Sequence, residues 1–132
     1  MNGVDTNVLV RFLVGEDTAQ ANKVYKLLKN VEKNKDKLYV PVIVFIELIW
    51  VLESVYSIER LELLSLLNDL ILMPIFIFEN LVAIQKILQE AQKSKYDLSD
   101  LLIAETACLY GCKSVYTFDK KASKHSVFEL VV

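Results

Sequence analysis

Four carboxylates stand where hydrophobic segments end or are interrupted, and they are spread over nearly the whole chain: Asp5, Glu47, Asp100 and Asp119. A charge among apolar neighbours is costly unless it is paired or holds a metal ion. Four such charges gathered in one pocket would need divalent cations to coexist. The pattern therefore predicts a metal-dependent enzyme, and the order of the carboxylates suggests phosphodiester chemistry.

The candidate ligands are all hard oxygen donors. Carboxylates without His or Cys partners select Mg²⁺ or Mn²⁺. One such ion can lower the pKa of a bound water and a second can stabilise the leaving oxygen, and the sequence leaves open whether one or two act. The chain has only two cysteines, Cys108 and Cys112, and one histidine, His125. A zinc site with four Cys or His ligands is therefore nearly excluded. We expect the thiols to fill small apolar gaps and the histidine to lie at the surface.

Each acid also has a structural interpretation. Asp5 can cap a short helix and Asp119 can belong to a turn, and these roles compete closely with ligation. Glu47 is harder to explain structurally, because it is the only charged residue between Lys37 and Glu53. A helix that is apolar all round is usually buried, so a functional role is favoured for this glutamate.

Asp97 and Asp100 lie three residues apart, directly before an apolar helix. One of them is expected to be structural, with Asp97 or Ser99 accepting backbone N–H bonds at the helix start. Asp100 is the better ligand candidate, because Ala104 and Ala107 follow it on nearly the same face and leave room above the helix. Asp97 would then orient Asp100 or cap the helix.

Strands and helices alternate along the chain. The first predicted strand ends at Val4, and four more cover 38–40, 75–77, 114–117 and 128–131. The predicted helices cover 5–13, 17–31, 43–56, 58–72, 81–91 and a segment from Ser99 to Gly111. Asp17 and Thr18 are the expected caps of the second helix. This order predicts an α/β fold around a mostly parallel sheet. The carboxyl ends of parallel strands meet at one edge, so Asp5 and Asp119 are expected to meet there.

Composition favours one cytoplasmic domain, residues 1–132. The chain is 54% hydrophobic, with 3 Gly and 2 Pro, and has a net charge of -2. That charge gives no general attraction to nucleic acid, so a polyanion must be held by local lysines and metal. The apolar stretches are too short to span a membrane, and no basic segment precedes one of them as in a signal peptide.

Four segments resemble, in order, the acidic motifs of the PIN-domain family: VDTNVL at 4–9, FIELIWVL at 45–52, DLSDLLIA at 97–104 and VYTFDK at 115–120. Each motif alone is weak, but four in this order are specific, and they span essentially the whole chain. The most similar branch is that of the VapC-type toxin ribonucleases of prokaryotic toxin–antitoxin modules. The resemblance implies a PIN-like three-layer sandwich with a mostly parallel central sheet flanked by helices.

The resemblance also implies roles for individual residues. The matching acids, which would bind Mg²⁺ or Mn²⁺ and carry catalysis, are Asp5, Glu47, Asp100 and Asp119. Asn7 matches a polar residue that braces the first aspartate, and Thr117 matches a hydroxyl that supports the site. Single-stranded RNA as substrate, a homodimer, and a small antitoxin protein that blocks the site are further implications. Glu105 stands where small residues are more familiar, which leaves open whether it reaches the site or faces solvent.

Basic and aromatic side chains near the motifs could hold RNA. Arg11 and the lysines Lys120, Lys121 and Lys124 could bind the phosphates that flank the cut, although most lysines only solubilise. Phe118 could stack on an unpaired base, but core packing is the favoured interpretation.

Rival functions remain open at this point. A haloacid dehalogenase-type phosphatase would need a second aspartate where Asn7 stands. The stronger rival is a catalytically idle PIN-like module that binds a metal and a partner. The apolar helical pair at 43–72 could be internal core, or it could supply a face for self-association and for an amphipathic peptide.

Overall fold

The computed structural model describes residues 1–16 and 18–132, and strands and helices alternate through them. In chain order they are β1 (Asn2–Gly3), α1 (Thr6–Val14), α2 (Ala19–Lys33), β2 (Leu38–Val40), α3 (Val42–Ser54), α4 (Arg60–Ile71), β3 (Phe76–Phe78), α5 (Leu81–Ala91), α6 (Leu98–Leu109), β4 (Val115–Thr117), a 3₁₀ turn (Ala122–Lys124) and β5 (Phe128–Leu130). The mixed α/β fold is therefore confirmed. The chain divides into two units, 1–79 and 80–132.

The first unit is built on three parallel strands in the order β1-β2-β3. Leu38 pairs with Phe76, and Val40 pairs with Phe78. All four of these side chains are buried, whereas Tyr39 between them on β2 is half-buried and Ile77 on β3 is exposed, so one face of these strands carries the core. Phe78 also meets the ring of Phe45 edge to face, with ring centroids 6.1 Å apart. This contact anchors α3, the helix that carries Glu47, on the end of β3.

The start of α3 is fixed by a residue from the end of β3. Pro41 precedes the helix and cannot cap it with a side chain. Instead, the Val42 N–H donates to Glu79 Oε1 at 2.7 Å. A carboxylate at a helix N-terminus also interacts favourably with the helix dipole. Glu79 therefore sets the position from which α3 runs towards Glu47.

The second unit has two parallel strands, β4 and β5, with Val115 opposite Phe128 and Thr117 opposite Leu130. Ala104 on α6 packs with Ala122 and Phe128 in a buried cluster. The 3₁₀ turn and β5 therefore fill the space over Ala104, one helical turn beyond Asp100, where room was predicted. Gly111 ends the helical segment with a φ of 93°, the left-handed conformation predicted for it.

Some sequence predictions need correction. Leu61 belongs to the apolar helical pair at 43–72, but it is not internal core: it is 81% exposed, whereas Leu63, Leu64 and Leu67 are buried. Leu61 lies on α4 outside the buried stripe that these three residues form with Leu70, so it faces solvent. The Thr18 hydroxyl accepts the Ala21 N–H at 3.0 Å, which confirms half of the predicted cap. Asp17, its other half, lies outside the described residues.

No helix in the described part of the chain is long and apolar enough to cross a bilayer.

Candidate active site

Asp5 follows β1 and lies at the N-cap position of α1, where its Oδ1 accepts the Thr6 N–H at 2.7 Å. The capping interpretation is therefore correct, and it uses one carboxylate oxygen. The hydroxyl of Thr6 donates to Glu47 Oε2, also at 2.7 Å. Thr6 thus contacts both candidate acids of the first unit, although the motif pattern had singled out only its neighbours Asp5 and Asn7.

Glu47 lies on an exposed stripe of α3. Ile43 and Trp50, one turn away on either side, are 57% and 62% exposed, whereas Val44, Phe45, Leu48, Ile49 and Leu52 are buried. The premise that α3 is buried all round is therefore wrong for this structure. The helix is apolar on both faces, and one face is at the surface. The functional case for Glu47 now depends on its bond to Thr6.

Asn7 and Arg11 lie one turn apart on α1 and line a groove of about 340 Å³ together with Gln20 and Lys23. The Arg11 Nε–H donates to Gln20 Oε1 at 2.7 Å, which fixes its guanidinium beside the groove. Asn7 is exposed. The hydrogen bond that Asp5 accepts in the described residues comes from Thr6, and the bracing role of Asn7 stays a prediction.

Asp97 lies at the N-cap position of α6 but makes no side-chain capping bond. Its Oδ1 is instead 3.8 Å from the Lys121 Nζ, in an exposed ion pair. The predicted capping bond is therefore absent. The lysine is near enough to attract the aspartate, and an exposed ion pair of this kind is worth at most about 1 kcal/mol.

Asp100 is the carboxylate whose electrostatic environment is most unfavourable. Desolvation by burial raises its pKa above the usual 3.8, and the charges of Asp97 and Asp119 raise it further, while Lys121 lowers it. Like charges at close range disfavour ionisation of each other. Asp100 is therefore affected by the negative charges of two neighbouring acids of the second unit, and a cation would relieve this repulsion.

Asp119 follows β4 and organises the turn after it. Its Oδ1 accepts the Lys121 N–H at 2.8 Å and the Ala122 N–H at 3.1 Å. The Thr117 hydroxyl accepts the Asp119 N–H at 3.0 Å, so Thr117 supports the backbone of the acid. The turn role of Asp119 is thus real. Both side-chain bonds use the same oxygen, which leaves Oδ2 as the one suited to a cation.

The remaining sequence candidates have other surroundings. Glu105 Oε1 is 3.4 Å from Lys86 Nζ, so it pairs α6 with α5. His125 was expected at the surface, but its side chain is only 10% exposed and bonds to Glu90. Cys108 and Cys112 were expected to fill apolar gaps, but both are exposed. The expectations for the histidine and for the two cysteines failed because sequence position does not show which distant residues cover a side chain.

Phe118 was assigned to core packing, and it is instead 81% exposed. It lies directly before Asp119. Lys120 and Lys121 are also exposed, so one aromatic ring and two cations accompany this acid at the surface.

The donor set fits a hard divalent cation, because every candidate ligand is a carboxylate. Among the described residues, however, no three or more acidic, histidine or cysteine side chains form a group that could hold a metal ion. The close contacts of these acids are with a hydroxyl, backbone N–H groups and a lysine. Ligation by Asp5, Glu47, Asp100 and Asp119 is therefore taken up as a proposal below.

A family model for PIN domains matches residues 4–127, which include all four candidate acids. The chain belongs to the PIN-domain family. It is also similar to a VapC ribonuclease of Aquifex aeolicus (strain VF5), with 27% identity over 124 residues that cover 94% of this chain and 91% of that protein.

Proposed function

We propose that this chain is a divalent-metal-dependent endoribonuclease that cleaves single-stranded RNA and serves as the toxin of a toxin–antitoxin pair. The observation that carries the proposal is the presence of all four motif acids within the PIN match, residues 4–127. A similar protein is named a VapC ribonuclease, which supports RNA as the substrate. Because the family model runs through both structural units, we also propose that they act as one nuclease domain.

Asp5, Glu47, Asp100 and Asp119 would hold Mg²⁺ or Mn²⁺. When bound, such an ion supplies a hydroxide-like water near neutral pH and stabilises charge on the leaving oxygen of a phosphodiester. The acids are suited to this task because three of them are already held by hydrogen bonds to one carboxylate oxygen. Asp5 accepts from the Thr6 N–H, Glu47 from the Thr6 hydroxyl, and Asp119 from two backbone N–H groups.

The protein's own cations would hold the RNA. Lys121 is paired with Asp97 at 3.8 Å and more than half exposed, so its ammonium can turn towards a phosphate at little cost. Lys120 beside it is exposed. Arg11 lies beside a groove on the other structural unit and can bind a further phosphate. Unpaired strands favour such contacts because their backbone is flexible and their bases are free.

Partners and location follow from the same proposal. We propose a homodimer, and a small antitoxin protein that covers the acids and inhibits cleavage. We also propose that the chain acts in the cytoplasm, where a ribonuclease toxin would meet its RNA. No helix among the described residues is suited to a bilayer, and Cys108 and Cys112 are free thiols.

The test is incubation of the purified full chain with a pool of unstructured RNAs in Mn²⁺ or in EDTA, followed by sequencing of the cut ends. The proposal expects internal cuts in Mn²⁺ and none in EDTA. An idle PIN-like module would bind Mn²⁺, as seen by calorimetry, without producing cuts. Equal cleavage in EDTA would contradict the metal-dependent mechanism.

A further inference from the structure

Thr6 is the one polar residue that the described part of the chain buries, with 6% of its surface exposed. Buried hydroxyls need hydrogen-bond partners, since an unpaired one is destabilising. The partner here is a charged carboxylate, Glu47 Oε2, at 2.7 Å and 41 residues away. An O–H···O⁻ bond of this length is in the strong, charge-assisted class.

The bond restricts a side chain that would otherwise be mobile. Glu47 is exposed, and glutamate has several rotatable bonds, so it loses much rotamer freedom when it is held. Thr6 is buried at the first position of α1, and branching at Cβ limits its rotamers. A rigid donor therefore fixes a flexible acceptor.

The same residue also holds the other acid of this unit. Its backbone N–H donates to Asp5 Oδ1 at 2.7 Å, while its hydroxyl donates to Glu47. Two neighbouring carboxylates repel each other when no hydrogen-bond donor offsets their negative charges. Thr6 offers each of them a separate donor, and each of the two bonds uses one carboxylate oxygen.

We propose that Thr6 is a positioning residue for the divalent cation: it orients Asp5 and Glu47 before the ion arrives. This inference rests on the proposed function, since it assigns the pair to a cation site. Groups that orient metal ligands by hydrogen bonding typically contribute a factor of about 10 to 100 in metal affinity or activity. Thr6 acts on Glu47 through its hydroxyl, so the identity of that group is what the test must vary.

The decisive variants are Thr6→Val, which removes the hydroxyl and keeps the shape, and Thr6→Ser, which keeps the hydroxyl. Mn²⁺ affinity is measured by calorimetry on the full chain without RNA. Thr6→Val is expected to weaken binding roughly tenfold, and Thr6→Ser to stay within about threefold of wild type. In cleavage assays, Thr6→Val should raise the Mn²⁺ concentration needed for half-maximal rate and leave the KM for RNA unchanged.

Thr106→Val is the matched control. The Thr106 hydroxyl also lies in a helix, but it donates to the backbone carbonyls of Leu102 and Ile103. Its loss should leave Mn²⁺ affinity unchanged. A double-mutant cycle adds Glu47→Gln: if Thr6 acts through Glu47, the effect of Thr6→Val on Mn²⁺ affinity should be much smaller in that background. If thermal melting shows that Thr6→Val does not fold, Thr6→Ala takes its place in every measurement.

The outcomes separate this inference from the function on which it rests. Wild type that binds Mn²⁺ and cuts RNA, with Thr6→Val unchanged in both, would overturn the role of Thr6 alone. Equal loss in Thr6→Ser and Thr6→Val would also overturn it, because packing and not the hydroxyl would then matter. Wild type that neither binds Mn²⁺ nor cuts RNA would overturn the proposed function itself and this inference with it.

Discussion

At the scale of the residue, the candidate acids fall into two kinds. Asp5, Glu47 and Asp119 each have one oxygen held by a hydrogen bond at 2.7 to 3.1 Å. Asp100 is different, since its environment raises its pKa through burial and through the neighbouring Asp97 and Asp119. The first kind is fixed in place before any ligand arrives. Asp100, the second kind, is disfavoured in its charged form, and a bound cation would stabilise that form.

One consequence concerns stability in the absence of metal. Folding raises the pKa of Asp100 above 3.8, so the folded state binds this proton more tightly than the unfolded state does. The resulting stabilisation is present below pH 3.8 and is lost as the pH rises through the raised pKa. Asp100→Asn mimics the neutral form. In EDTA at pH 7 it should melt at a higher temperature than wild type, and the difference should shrink as the pH falls towards 4.

Scanning calorimetry across that pH range measures the difference. Asp69→Asn removes the same charge at an exposed position on α4 and serves as the control, with no comparable gain expected. A lower melting temperature for Asp100→Asn than for wild type at pH 7 would show that repulsion does not dominate at this residue.

A second consequence separates Asp97 from Asp100. Because Asp97 makes no capping bond and only an exposed ion pair with Lys121, Asp97→Asn should reduce RNA cleavage by no more than about fivefold, the equivalent of about 1 kcal/mol. Asp100→Asn should reduce it by roughly a hundredfold or more, because it removes a ligand charge that would hold the cation on which stabilisation of the transition state depends. Initial rates on one mapped RNA would measure both. Equal losses would place Asp97 among the residues that contact the cation.

At the scale of the element, hydrophobic periodicity predicted the strands and helices well. The helices predicted at 43–56 and 58–72 are found at Val42–Ser54 and Arg60–Ile71, and Gly111 has the left-handed conformation expected of it. Periodicity reports which side of a helix is apolar, but not which distant residue covers it. Thr6 with Glu47 and His125 with Glu90 are 41 and 35 residues apart, and both pairs escaped prediction for that reason.

The second of these pairs ties the segment after the 3₁₀ turn to α5. His125 Nδ1 accepts the Val127 N–H at 3.1 Å, so Nε2 carries the proton and donates to Glu90 Oε1 at 2.6 Å. The rings of Tyr96 and Phe128 both meet the His125 ring edge to face, with centroids 5.1 and 5.9 Å from the His125 centroid. The histidine therefore joins polar and aromatic contacts in one place.

His125→Phe should keep the aromatic packing and lose both hydrogen bonds, which lowers the free energy of unfolding by about 1 to 3 kcal/mol because it leaves the partners of the ring unpaired. Urea denaturation at pH 7 would measure the loss, with Lys124→Ala at an exposed neighbouring position as the control. A stability within about 0.5 kcal/mol of wild type would mean that the ring packing, and not the bonds, holds this segment.

At the scale of the whole molecule, a net charge of -2 and an exposed apolar surface point to recognition by contact more than by long-range attraction. Ile43 and Trp50 on α3 and Leu61 on α4 are 57%, 62% and 81% exposed. The interpretation that the 43–72 pair is entirely internal core is thus wrong for these residues. They are the surface on which the proposed dimer or antitoxin contact can be tested.

Light scattering after size exclusion should find wild type as a dimer at micromolar concentration, and Trp50→Glu should shift it towards monomer, because a charge replaces a large apolar side chain. Lys33→Glu, on α2, changes charge outside this helix pair and should leave the dimer intact. Co-expression with the product of an adjacent small gene tests the antitoxin. A monomer at high micromolar concentration that retains no small protein would contradict both partner proposals.

The most direct test of the central claim, that the motif acids support metal-dependent RNA cleavage, is the initial rate on one mapped RNA for wild type, Asp5→Asn and Asp100→Asn. Each variant removes a candidate ligand charge with little change in volume, so both should fold, as judged by circular dichroism, and lose cleavage by roughly a hundredfold or more in Mn²⁺. Asp69→Asn should cut like wild type, and EDTA should stop cleavage. Undiminished rates in both ligand variants, or full cleavage in EDTA, would contradict the account.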